Sequence, residues 1–343
     1  MNSNTANVPS TYTTPLTLRV YDALPGNPFW VGIGFTLGLL FVFFVGRALI
    51  EGANNSYPGD LRVAIIHILQ TTYSASAYAY LLMTVRKTAH DLSPVARPSP
   101  QWQTIVDSAG KHPWWVLLLV GATTCLFIGV VGPNVTTAAQ VNPWDWHWWT
   151  YDVYWHRATT VFSAWWTGCL CYVIVVESRR LSHLSDGIES IDLLDLLPYQ
   201  PLIRLGLTNA LLLIGWVSIM SLLGFQSRYI PMLAVIWLMF VGLARMGMML
   251  PLSGIRRKIR VAMDQELDWC RQALKIARDE MKSDASKQLS IAEIVAYKSV
   301  VENTRNWPFD NPTLVRFTLY IMIPLGSWLG SAFVERGLDL FLS

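Results

Sequence analysis

The sequence predicts an all-α fold: a polytopic membrane helix bundle of about seven transmembrane helices, with a cytoplasmic helical hairpin between the sixth and seventh. Three observations predict it. Only 14% of the 343 residues are charged, while 52% are hydrophobic; soluble proteins have about 25% charged residues. Residues 253–313 hold 20 of the 49 charges, which leaves 29 for the other 282 positions. The apolar stretches are continuous rather than alternating, which favours helices over a barrel.

These figures also exclude several classes of protein. About 10% charge outside one segment is too little polar surface for a soluble two-domain enzyme. Four cysteines are too few for a disulfide-stapled secreted module, and a net charge of +3 is too small to indicate a nucleic-acid partner. The expected partner is therefore the lipid bilayer.

Seven stretches approach the roughly 20 residues that a helix needs to cross a bilayer. Asn311-Pro312 and Pro113 supply helix-start signals before two of them. The first stretch lacks the basic start and the cleavage site of a signal peptide. The seven predicted spans are 29–46, 63–85, 114–132, 158–176, 205–225, 229–250 and 314–334.

The distribution of basic residues predicts the orientation. Twenty Lys and Arg lie on the side that holds the N-terminus and the loop before the last span, and five lie on the opposite side. By the positive-inside rule the N-terminal segment 1–28 is cytoplasmic and the C-terminus lies outside. We expect a multi-pass protein of the cell (inner or plasma) membrane.

The spans divide the chain into a six-helix core, 29–252, and a C-terminal unit, 314–343, with the last span and a short outer tail. The core has a Trp-rich outer loop at 133–157 and an amphipathic cytoplasmic loop at 181–203. Four acids in the second loop are expected to form the solvated face of a short surface helix: Asp186, Glu189, Asp192 and Asp195.

Segment 253–313 predicts the cytoplasmic hairpin. A capping box, Ser290 to Glu293, opens its second helix, which ends near Asn303. In the first helix, 255–283, apolar residues recur at heptad spacing and form a seam: Met263, Leu267, Cys270, Leu274, Ala277 and Met281. The two helices of the hairpin pack either on each other or, through this seam, against other subunits. Gly326 and Gly330 in the last span are further candidates for contacts between subunits.

Two polar stripes enter the membrane from the outer side. If a helix runs from Asn142 into the fourth span, one face carries Asp145, Trp149, Asp152, His156, Thr160, Ser163, Thr167 and Cys171. The second span carries His67, Gln70, Thr71, Ser74 and Tyr78 at helical spacing. Helix faces this polar cannot face lipid.

The stripes have three interpretations. They line a vestibule that attracts or relays cations or protons, with pathway candidates His67, Thr71, Ser74, Asp145, Asp152, His156, Thr160, Ser163 and Thr167. Alternatively His67, His147 and His156 bind a metal with an Asp, although no tight ligand spacing supports it and no metal or cofactor is expected. In the third interpretation polar groups simply bond across packed helices.

Other charged groups near the membrane are expected to contact lipid headgroups. Arg245 snorkels from the sixth span, and Arg256, Arg257 and Lys258 follow at its exit. Pairing of Arg245 with Glu177 is the alternative. Pro324 frees a backbone carbonyl in the last span, which would suit a gate.

No catalytic motif of a known enzyme class is present, so an enzyme is not expected. A membrane enzyme that acts on lipid or quinone at the Trp-rich rim is kept as a third hypothesis, after the two that follow. The leading hypothesis is a homo-oligomer that conducts or translocates a small ion or solute. The alternative is a non-conducting scaffold or sensor that binds a cytoplasmic protein through 255–303. The layout resembles that of insect odorant-receptor-like channels, while no residue motif identifies a family.

Overall fold

The computed structural model describes residues 12–50, 58–94, 100–136, 151–184, 192–193, 195–222, 230–281, 288–303 and six positions between 315 and 326. This part of the chain is all-α, apart from two short strands, β1 (Tyr12–Thr13) and β2 (His112–Pro113). The helices are α1 (Leu16–Ala23), α2 (Pro28–Ile50), α3 (Pro58–Leu92), α4 (Pro100–Ser108), α5 (Trp114–Thr136), α6 (Tyr151–Leu184), α7 (Gln200–Ser221), α8 (Ile230–Met249), α9 (Ser253–Met281) and α10 (Gln288–Asn303).

Local signals explain where several helices begin. The side chain of Asn27 accepts a hydrogen bond of 3.1 Å from the backbone N–H of Phe29. Asn27 thereby caps α2, and Pro28 takes the first helical position, where its missing N–H costs nothing. Asp195 accepts from the N–H of Leu197 in the same way, before a 3₁₀ turn that leads into α7.

Four helices are long and apolar enough to cross a membrane: Pro28–Ile50, Tyr154–His183, Leu197–Ser221 and Ala234–Asp279. A shorter apolar helix, Trp114–Ile128, lies in α5. Large apolar side chains stand exposed on α2, α5 and α8, among them Trp30, Phe41, Leu126 and Leu238. Apolar surface of this extent is unsuited to water, and it indicates a protein embedded in a membrane.

The count of seven spans stays a prediction. The predicted second span, 63–85, is helical, but the described part of its helix α3 contains no stretch as apolar as those of the four helices. Most of the predicted seventh span, 314–334, lies outside the described residues. The predicted first and fourth spans fall within apolar helices, the predicted sixth overlaps α8, and α7 begins at Gln200, ahead of the predicted 205.

Helix α3 occupies the centre of the bundle. It packs against α2, α6 and α7, and its side chains Ala77, Leu81, Leu82 and Val85 are fully buried. Helices α3 and α6 run parallel. His67 of α3 lies next to Thr160 of α6, and Ser74, further along α3, lies next to Thr167, further along α6. A helix covered by protein on several sides tolerates polar residues, because neighbouring helices satisfy them.

The loop between α6 and α7 differs from the predicted surface helix where it is described. Helix α6 continues to Leu184, and a 3₁₀ turn covers Leu197–Tyr199. Asp192 and Asp195 are exposed, whereas Asp186 and Glu189 lie outside the described residues.

Helices α8 and α9 follow each other almost without interruption over Ala234–Asp279, which is apolar at its start and charged at its end. The seam residues Met263, Cys270 and Ala277 are buried within the chain. Leu267 packs against the main core and Leu274 is half-buried. This coverage favours the interpretation in which the seam packs inside one chain rather than against another subunit.

Helix α10 lies against α9. The Tyr297 hydroxyl donates to Glu266, and the Tyr297 ring meets Trp269 edge to face at 6.0 Å. Burial raises the pKa of Tyr297, and the nearby Glu266 carboxylate raises it further. The capping-box prediction was wrong in position: α10 begins at Gln288, so Ser290 lies in the first turn rather than at the N-cap.

Candidate functional site

Buried polar side chains lie at three places along the interface between α3 and α6, separated by buried apolar side chains. The two helices are parallel neighbours, so a face of one stays in register with a face of the other. The predicted stripe of the second span lies on α3, and the fourth-span stripe lies on α6 from Asp152 onward, whereas Asp145 and Trp149 lie outside the described residues. The interface has three parts: a histidine pair at the amino end of α6, a hydroxyl layer in the middle, and a charged cluster at the carboxyl end.

At the amino end the structure brings together His67, His156 and Thr160. The imidazole Nδ1 of His67 lies 3.2 Å from the Thr160 hydroxyl. The rings of His67 and His156 are 5.5 Å apart between centroids. Asp145, His147 and the side chain of Asp152 lie outside the described part of the chain.

In the middle, hydroxyl groups connect the helices. Thr71 donates to the carbonyl oxygens of His67 at 2.8 Å and Thr159 at 3.0 Å. The Ser74 and Thr167 hydroxyls are 3.2 Å apart, and the indole N–H of Trp216 donates to the Thr167 hydroxyl at 2.8 Å.

The side chains of this hydroxyl layer are buried. Ser74 is 0% exposed, and Thr71 and Thr167 are buried by neighbouring helices. Ser163 and Gln70 are buried as well. The middle of the interface therefore consists of directly bonded side chains, as in the packing interpretation, and a hydrated cation would have to displace them.

At the carboxyl end, Glu177 is 2% exposed and holds two potential cations on one oxygen. The guanidinium of Arg180 donates to its Oε1 at 2.8 Å. The imidazole Nε2 of His112, which is fully buried, lies 3.1 Å from the same oxygen. The expected alternative partner, Arg245, is exposed on α8, and Glu177 pairs with Arg180 and His112 instead.

The N-terminal segment completes this cluster. Strand β1 pairs antiparallel with β2, so that Thr13 lies opposite His112. The Arg180 guanidinium donates to the Tyr12 hydroxyl at 3.2 Å and lies 5.3 Å from the centre of the Tyr12 ring. Gly110, at φ +68°, makes the turn that leads from α4 into β2.

Two tyrosines border the cluster. The Tyr172 ring meets the His112 imidazole edge to face at 5.5 Å. The Tyr78 hydroxyl is buried, interacts electrostatically with Glu177, and has no hydrogen-bond partner among the described residues.

The charged cluster was missed because its members lie far apart in the sequence. Tyr12, His112 and Glu177 belong to three segments, and the two-residue strands that join the first two carry no periodic signal. One signal was available: Glu177 is an acid that directly follows an apolar span, where acids are costly and usually paired.

The remaining predicted residues are dispersed. Arg257 is exposed, Arg256 and Lys258 are half-buried, and Gly326 is exposed. Gly330 lies outside the described residues. Among the side chains that the structure describes, no three His, Cys, Asp or Glu groups are arranged to hold a metal ion.

Asn209 ties three helices together beside the cluster. Its amide nitrogen donates to the Ser178 hydroxyl of α6 at 2.9 Å and to the Gly247 carbonyl of α8 at 3.0 Å. These two hydrogen bonds connect α7 to α6 and to α8, while the Asn209 side-chain oxygen has no hydrogen-bond partner among the described residues. A shift between the helices would leave the amide nitrogen unpaired as well, which is costly for a buried group.

No protein-family model, curated protein or solved structure matches this chain. Its function is therefore inferred from the α3–α6 interface and the groups at its two ends.

Proposed function

We propose that the protein translocates a small ion across the membrane along the α3–α6 interface, and that the ion is a proton. One observation carries this proposal: titratable groups lie at both ends of an interface whose middle is a layer of buried hydroxyls. Glu177 follows His156 by 21 residues on the same helix, or about 32 Å of helix axis. That length matches the roughly 30 Å of a bilayer core.

The chemistry of the middle layer favours a proton over a hydrated cation. A proton moves by exchange between hydrogen-bonded groups, whereas a metal cation needs space for its ligands. The Thr71, Ser74 and Thr167 hydroxyls are buried and bonded to neighbouring helices. At the amino end, the imidazoles of His67 and His156 have nitrogens that can both accept and donate a proton.

The proposal also includes the predicted topology and assembly. We place the N-terminus inside, count α3, α5 and the last span among seven transmembrane helices, and expect a homo-oligomer. Gly34 and Gly38 support the last point, since nothing lies within 4 Å of the position that a Cβ would take at either glycine. Small residues on an uncovered helix face allow a second helix to approach closely.

Purified protein in liposomes with an enclosed pH dye is expected to admit protons when a pH gradient is imposed. Ser74→Ala combined with Thr167→Val should slow proton entry about tenfold, because the loss of a buried hydrogen bond raises a barrier by roughly 1.4 kcal/mol. His156→Ala and Asp152→Asn should alter the rate at the outer end.

Ser218→Ala is the matched control. The Ser218 hydroxyl bonds to Ile214 of its own helix, α7, so its loss leaves the α3–α6 interface intact. Entry of K⁺ or Na⁺ at a comparable rate would identify a different ion. Liposomes impermeable to all three ions would overturn the proposal.

A second candidate function is a scaffold that binds a protein partner through α9 and α10. Apolar side chains on these helices are exposed: Trp269, Ile276, Val295 and Val300. They differ from the seam residues Met263 and Cys270, which are buried. A partner would therefore dock on the exposed faces.

For this candidate, a protein that co-purifies in a fixed ratio should be lost from the double variant Trp269→Ser with Ile276→Ser. The control is the pair Lys275→Ser with Arg278→Ser, exposed charged positions on the same helix. Retention of the partner by the apolar double variant, or equal loss from both double variants, would contradict docking on the apolar face.

A further inference from the structure

We propose that His112 and Glu177 form a buried proton-binding site, in which His112 Nδ1 takes up the proton and the N-terminal segment controls the affinity through Arg180. This site does not depend on transport, because a proton can bind and leave from one side of the membrane.

The first step concerns the contact between His112 and Glu177. An unprotonated imidazole nitrogen and a carboxylate oxygen are both acceptors. Nε2 lies 3.1 Å from Oε1, although the pair does not have the angles of a hydrogen bond. Two lone pairs at this distance would repel, so the negative carboxylate favours the tautomer of His112 with hydrogen on Nε2.

The second step concerns the other ring nitrogen. With Nε2 protonated, the Nδ1 lone pair of a neutral His112 is free to accept. It is fully buried and has no hydrogen-bond partner among the described residues. Unpaired buried polar atoms are rare and costly, and they mark sites where a ligand or a proton binds.

The third step concerns charge. With His112 neutral, Glu177 and Arg180 sum to zero. Proton uptake at Nδ1 converts imidazole to imidazolium and raises the charge of the cluster to +1, with no covalent bond between heavy atoms broken. The imidazolium and Arg180 then compete for the same oxygen of Glu177.

The N-terminal segment affects this competition. Tyr12 accepts a hydrogen bond from Arg180 and offers its ring face to the guanidinium. These contacts hold Arg180 beside Glu177, where it opposes proton uptake. If the Tyr12–Arg180 contact weakens, Arg180 interacts less with the Glu177 carboxylate. Proton uptake by His112 then becomes more favourable.

The titratable and charged groups around the site come from four elements. Tyr12 belongs to β1, and Lys111 precedes β2. Helix α3 contributes Tyr78 and Arg86; Arg86 is paired with Asp22, 3.6 Å away. Helix α6 contributes Tyr172, Glu177 and Arg180.

The test is the pH dependence of the His112 ring signals in ¹⁵N-histidine NMR of the full chain in detergent. His112→Asn assigns the signal, and His90, exposed at the end of α3, is the internal reference. In the wild type the His112 signal should change between pH 5 and pH 9.

The variants move the transition in opposite directions. Glu177→Gln should move it to lower pH by about one unit or more, because the counter-charge is lost. Arg180→Gln should move it to higher pH by a similar amount, because the competing cation is lost. Tyr12→Phe should move it in the same direction as Arg180→Gln, by less.

Arg180 is 21% exposed at the rim, so its variant is expected to fold even if the Glu177 variant does not. A His112 signal that is constant from pH 5 to pH 9 in both the wild type and Arg180→Gln would overturn the proposal. Shifts of the same sign in Arg180→Gln and Glu177→Gln would do so too. Failure of the liposome experiment leaves these NMR outcomes unchanged, so the two proposals fail separately.

Discussion

Replacing Glu177 with alanine is expected to lower the free energy of unfolding by about 3 kcal/mol, near the lower end of the range for breaking a buried ion pair. The carboxylate is 2% exposed and contacts Arg180 and a fully buried His112. Its removal leaves both the Arg180 guanidinium and the His112 imidazole without this acceptor. Because Arg180 is partly exposed to water, the expected loss of stability lies below the upper end of that range. Thermal unfolding in detergent, followed by tryptophan fluorescence, should show a Tm lower by roughly 4 °C.

Glu293→Ala provides the control, because Glu293 is exposed on α10 and the same atoms are removed. Exposed substitutions of this kind change stability by about 0.5 kcal/mol or less. Glu177→Gln should fall between the two, since its amide oxygen still accepts from Arg180 but carries no charge. Equal Tm values for Glu177→Ala and Glu293→Ala would contradict the buried cluster.

The sequence predicted the apolar helices because their signal is local. The apolar runs that became α2, α6 and α8 are continuous, and each contains only a few polar groups. The end positions were less accurate. Helix α7 begins at Gln200 because the prolines near its start suit the first helical turn, whereas the prediction followed hydrophobicity alone.

The candidate site was predicted in part. The stripes on the second and fourth spans were assigned to inward faces by helical spacing, and Ser74 does meet Thr167 across the interface. The direct bonding between them was the packing alternative rather than the open vestibule. Spacing along one helix gives the direction of a side chain, but the distance to a neighbouring helix depends on packing.

The cluster at Glu177 shows what spacing cannot provide. Tyr12 and Arg180 are brought together by a two-residue strand pair and by the turn at Gly110. Neither feature has a period. A polar group in an apolar span is visible in the sequence, while its partner is found only when distant segments are folded against each other.

Replacing Gly206 with alanine is expected to destabilise the contact between α7 and α8 by about 1–3 kcal/mol. A Cβ at this position would lie 2.6 Å from the backbone carbonyl oxygen of Met248. Backbone cannot rotate away as a side chain can, so the helices must separate. Separation would also lengthen the bond from Asn209 to the Gly247 carbonyl, about one turn along the same interface.

Gly242→Ala is the matched control on α8, because nothing lies within 4 Å of the position that its Cβ would take. There alanine should be neutral or stabilising by up to about 1 kcal/mol, since it forms helix more readily than glycine. The two substitutions add the same methyl group to neighbouring helices, so their Tm difference isolates the close approach of α7 to α8. A lower Tm for Gly206→Ala alone is expected. Equal Tm values would mean that the helices are farther apart at Gly206, and the hydrogen bonds of Asn209 would then lose their geometric basis.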